Sequence, residues 1–207
     1  PTARRPRMIS IKAAATRRPT LRWMNDRTDI RAQIAADSLL QAEINRALQA
    51  VADNLSRGCD PRVVRILNRT LEASWAEHVS FQDEVVFPII FGRHTRQVAP
   101  MIDRLRSEHA GLAERHAEVG SRLNGVLQDQ PDDTAGLDAL LRTTLELRRL
   151  HLLVDAELLD WLPASFTAAE VSLCCAWASR RPSPRFPLNL LKSPSRRSFR
   201  LGGGRLN

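Results

Sequence analysis

Between residues 25 and 162 apolar side chains recur three and four positions apart, the period of one face of an α-helix. Turn and cap signals divide this pattern into four predicted helices. The first covers about residues 25–56 and stops before Gly58. Asp60 followed by Pro61 is an N-cap with proline in the first helical position, and it opens a second helix that runs to about residue 88. The segment FGRHTRQVAP (91–100) reads as a linker to a third helix over 101–128. The polar stretch DQPDDTAG leads into a fourth over 137–162, ended by Pro163. Thr167 and Glu170 have capping-box spacing for one further short turn. Four amphipathic helices with shortish connections predict an all-α protein, an antiparallel four-helix bundle over residues 25–170.

The inward seams are not uniformly apolar. The second helix reads Leu71, Trp75, His78, Gln82, Val85, Ile89, and the third reads Ile102, Leu105, His109, Leu112, His116, Val119, Leu123. The fourth reads Leu137, Leu140, Thr144, Leu147, His151, Val154, Leu158, Trp161, and the first carries Asp37 and Gln41 among Ile30, Ile34, Ile44 and Leu48. Four of the five histidines, His78, His109, His116 and His151, therefore fall on core-facing positions, and only His94 lies in the expected linker. A buried imidazole without a partner costs about 1–3 kcal/mol, so a group of them must satisfy one another, satisfy carboxylates or bind an ion.

Charge narrows the reading. The net charge of +8 comes from the ends: residues 1–22 hold seven basic residues and no acid, and residues 180–207 hold eight and no acid. The middle, with 16 basic and all 23 acidic residues, is near −7, so the total does not describe a basic face on the domain and predicts no specific nucleic-acid partner. Residues 1–24 and 171–207 combine Arg, Pro and Ser and are expected to be disordered basic tails. The first has the composition of an organelle transit peptide, with Met8 and Met24 as candidate starts. No apolar run reaches the ~18 residues of a membrane span. Three cysteines without a CxxC predict a reducing, cytoplasmic setting.

Helical bundles hold metals with His and carboxylate side chains that converge from facing helices, a ligand set suited to iron and, less specifically, to manganese or zinc. Asp155, one turn beyond His151, lets one helix offer nitrogen and oxygen together. His116 is two turns from His109, about 10 Å along the axis, too far to share one ion easily and so read as a partner of the site or a shifted ligand. Asp83 and Glu84 lie off the seam, and Glu84 reaches the site only if the helix distorts near Pro88.

These segments resemble the hemerythrin-like family of HHE cation-binding domains over about residues 28–165. HVSFQDEVVFP is similar to its second-helix element, RLRSEHAGL to its third and HLLVDAELLDWLP to its fourth. The family's diiron pattern has five histidines and two carboxylates, and the matches here are His78, His109, His151 and Asp155. Ser38, Gln82 and Ala113 stand where the resemblance would place three further ligands. The resemblance thus implies a depleted site, mononuclear or a reduced diiron pair of non-haem iron, with a role in oxygen, nitric oxide or iron sensing, storage or stress response. The competing expectation is a metal-free structural or regulatory bundle. No nucleophile–base set or phosphate-binding glycine loop is present, so an enzymatic activity is not the expected reading and would have to come from the metal.

Overall fold

A computed structural model describes residues 29–128 and 133–180, and among them every regular element is helical. The segments 1–24 and 181–207, expected to be disordered, lie outside these residues. Helix α1 (Ile30–Asn54) is capped by Asp29, whose side chain accepts from the Arg31 and Ala32 amides. The turn after it contains Gly58 at φ 100°, a left-handed conformation that glycine adopts without steric cost. Helix α2 (Pro61–Phe81) starts at the expected Asp60 cap with Pro61 behind it. It runs without a break into a π-helical turn (Gln82–Val86) and then into α3 (Phe87–Leu127).

The ten-residue linker expected at 91–100 is not a loop. The chain stays helical on both sides of His94, the one residue there with non-helical angles (φ −133°, ψ 31°), and Pro100 lies inside the helix that follows. Gly92, Thr95 and Pro100 weaken helix propensity here, yet the kink at His94 takes up the break, with its ring against Trp161 at 5.1 Å. Helix α4 spans Thr134–Leu159. The capping box at Thr167 and Glu170 forms, but it opens a full helix, α5 (Ala168–Ser179), rather than a short turn. The expectation of disorder from residue 171 is thereby corrected for 171–179. Cys174 and Trp177 are buried there, and the Trp177 ring packs at a tilt against Phe81 with ring centres 4.7 Å apart, which a reading of composition alone overlooks.

Helix α1 packs on α2 and α4, and α3 packs on the same two helices. Cross-helix bonds pair rising with falling residue numbers, so these neighbours run antiparallel: Gln41 with Ser74 and Asp37 with His78, Asp83 with Arg106 and Asn68 with Asn124, Glu108 with His151 and Arg122 with Asp133. Two apolar clusters fill the interior. One lies where α1 meets α2, around Leu48, Leu71, Val119 and Leu141. The other joins the π turn, the start of α3, Leu158 and α5. The remaining buried positions are mostly polar: Gln41, Ser74, His78, Gln82, His109, His116, Thr144, Arg148, His151 and Asp155.

Candidate metal centre

His78 and Gln82 come from the inward stripe of α2 and its π turn, His109 from α3, and His151 and Asp155 from α4. One ring nitrogen from each of His78, His109 and His151 lies within 4.8 Å of the other two, and all three rings are buried. His78 Nε2 and His151 Nε2 are 3.4 Å apart. Behind each of these two rings stands a carboxylate: Asp37 Oδ2 is 2.6 Å from His78 Nδ1, and Glu108 Oε2 is 3.0 Å from His151 Nδ1. A carboxylate acceptor fixes the proton on Nδ1 and turns the Nε2 lone pair away from it, the arrangement in which histidine binds metals.

Two lone pairs thus face each other with no protein donor between them. They repel unless a cation, a proton or a metal, lies between. The 3.4 Å separation is close to the edge of a tetrahedron of ~2.0–2.1 Å metal–nitrogen bonds, so the residues present fit a transition-metal ion.

Asp155 is not one of the three clustered groups. Its Oδ1 accepts a short hydrogen bond from Gln82 Nε2, and Gln82 Oε1 in turn accepts from His109 Nε2 at 2.9 Å. His109 Nδ1 is buried without a partner. Gln82 therefore links the carboxylate to the histidine cluster. Glu84 does not reach the site: although the helix distorts as far as a π turn, Gln82, Val85 and Val86 take the buried positions while Glu84 bonds Ser80 and, at 2.5 Å, Arg180. Ser38 is exposed, because the inward stripe of α1 passes through Asp37 and Gln41, so it does not stand at a ligand position. Ala113, with Ala76 and Ala110, lines a groove of about 480 Å³ between α2 and α3 that also touches Trp75, His109 and His116.

Electrostatics separates the histidines. Burial works against a charge on His78, but Asp37, by charge and hydrogen bond and with help from Asp155, outweighs it and raises the pKa above the ordinary imidazole value. Burial lowers His109 to about 3, with the charges on His151 and His78 adding to the effect. Burial and the His78 charge lower His151 to about 4, against the pull of Glu108. Burial raises Asp155 to about 6. His109 and His151 therefore keep free lone pairs at neutral pH.

His116 lies outside the cluster and accepts from Arg148 Nη1 at 3.1 Å. Arg148 and Glu108 carry roles that the sequence did not suggest, and Asp37, placed on a seam, had none. For α4 the signal was present: 137, 141, 144, 148, 151, 155 and 158 alternate by four and three, and this stripe puts Arg148 and Asp155 inward. Leu147, expected in the core, is 36% exposed, and Val154 is half-buried. Comparison of the chain with protein-family models, curated proteins and solved structures gives no match.

Proposed function

We propose that the chain is a hemerythrin-like metal-binding four-helix bundle that holds one non-haem transition-metal ion, iron before manganese or zinc, and acts in oxygen, nitric oxide or iron sensing, storage or stress response. The observation that supports this reading is the opposed pair of His78 and His151 lone pairs, each backed by a carboxylate, with His109 beside them. Asp155, reached through Gln82, would complete the ligand set. With three histidines and one carboxylate against the seven ligands implied for a diiron centre, the expected content is at most about one metal per chain.

A second reading, a metal-free bundle, is favoured by one feature: Gln82 joins Asp155 to His109, and Asp37 and Glu108 bond His78 and His151, so these groups have protein partners without an ion. Metal analysis and an ultraviolet–visible spectrum of protein purified from iron-supplemented cells separate the two. About one equivalent, lost in His109→Ala and His151→Ala, supports the metal site. No iron, manganese or zinc under any loading condition leaves the metal-free bundle, and two irons per chain would overturn the depleted site. Among the described residues no helix is long and apolar enough to cross a membrane.

A further inference from the structure

About one turn before His151 on the inward stripe of α4, Arg148 holds a positive charge inside the bundle. The side chain is fully buried, and its hydrogen-bond partners are all neutral: Asn45 Oδ1 at 2.6 Å, Gln41 Oε1 at 2.7 Å and His116 Nε2 at 3.1 Å. Burial lowers its pKa only to about 10, so the guanidinium stays charged at neutral pH. Asn45, Gln41 and His116 need only N–H donors, which a neutral amide also supplies, so the charge is the part of Arg148 that the packing does not require.

That charge stands close to the histidine cluster. The guanidinium carbon lies over the Trp75 ring at 5.2 Å, and the same ring is 5.0 Å from the His78 ring and 5.1 Å from the His151 ring. Arg148 is therefore within about 10 Å of both imidazoles, in a core where solvent screens it little. Gln41 extends the link: it accepts from Arg148 and donates to Asp37 Oδ1 at 3.2 Å, while Asp37 Oδ2 stands behind His78 Nδ1. Both carboxylates behind the rings already have a cation near them, Asp37 through the charge of Arg148 and Glu108 through Arg104 Nε at 2.7 Å. A proton on a ring nitrogen meets this field: after burial and the His78 charge, Arg148 opposes protonation of His151, and it opposes that of His78 against the stronger pull of Asp37. An ion of higher charge meets it in proportion, because Coulomb energy scales with the charge.

We propose that Arg148 sets which ionic charge the centre accepts: its fixed positive charge beside His78 and His151 makes the site favour ferrous over ferric iron. This rests on the metal-binding reading above and adds an oxidation state to it. The two ions differ by one unit of charge. At ~10 Å and an effective dielectric constant of ~20, that unit amounts to roughly tenfold in the ratio of ferrous to ferric affinity.

The test loads full-length protein with iron and titrates the one-electron ferric/ferrous couple in wild type, Arg148→Gln, Asn45→Asp and Arg148→Lys. Arg148→Gln removes the charge. Asn45→Asp neutralises it in place, on the side chain that already accepts from Arg148 Nε, so the test stays open if Arg148→Gln fails to fold. Each should lower the potential by about 59 mV, the equivalent of tenfold for one electron, and Arg148→Lys should stay near wild type. An unmoved or raised potential in either neutralised protein, or the same drop in Arg148→Lys, overturns the role of the charge and leaves the metal site standing. Wild-type protein that takes up no iron overturns both.

Discussion

Two neighbouring parts of the interior are built from the same four helices on opposite principles. At the end where α1 turns into α2, Leu48, Leu71, Val119 and Leu141 meet in a cluster whose every buried side chain is hydrophobic. Further along the same helices the buried positions are His78, His109, His116, His151, Arg148, Gln41, Gln82 and Asp155. The aliphatic part stabilises through area removed from water, about 1.5–3 kcal/mol for each large side chain, and any apolar residue of similar volume would serve. The polar part stabilises only while every donor and acceptor is matched, and several are not. The difference teaches where to look for function: the part that gains less from burial is the part whose three clustered histidines could hold an ion.

Leu71→Ala should have the largest effect on stability, a loss of about 2–5 kcal/mol in chemical denaturation, since Leu71 is fully buried in the aliphatic cluster. Metal content per folded chain should not change. A Leu71→Ala variant that loses metal while folded would erase the distinction between the two parts.

Asp155→Asn should do the reverse. The folded-state pKa of Asp155, about 6, lies above its ordinary value of 3.8, so its contribution to stability is fully present below pH 3.8 and is lost as pH rises through 6. Asparagine still accepts from Gln82 and never ionises. The metal-free variant should therefore gain on the order of 3 kcal/mol at pH 8 and nothing at pH 3.5, while binding metal more weakly. Equal stability of the two proteins at pH 8 would show that Asp155 is better solvated than its burial implies.

Gln82→Glu sharpens the contrast further. It removes the donor to Asp155 and sets two carboxyl groups side by side, which should cost the metal-free protein about 1–3 kcal/mol. With an ion present the added anionic oxygen should tighten binding, so the midpoint difference between loaded and empty protein should widen. A narrower difference would place the ion away from Gln82.

Much of this layout was legible in the sequence, and the gaps have physical causes. The seams of α2 and α3 name buried residues throughout, because strict three–four spacing on a long helix leaves little choice of face. The same rule brought His78, His109 and His151 together before any coordinates. Arg148 was missed because an arginine paired with Arg149 reads as surface, although the four–three spacing of α4 passes through it. Glu108 was missed because a residue beside the stripe can still reach a ring across the helix interface with its longer side chain. The His94 kink and the extent of α5 depend on tertiary packing against Trp161 and Phe81, which no local pattern records.

The π turn at Gln82–Val86 has one consequence for the helix that contains it. A π turn holds an extra residue without adding height, so the positions after it are rotated by about 100° relative to an uninterrupted α-helix. Val85 and Ile89 continue the old stripe, Val86 and Ile90 begin a stripe shifted by one, and all four are buried. The helix is thus written in two frames that overlap at the turn, with α5 packed against the turn itself. Gln82 stands at the splice, which makes the residue joining Asp155 to His109 also the residue at which the helix changes phase.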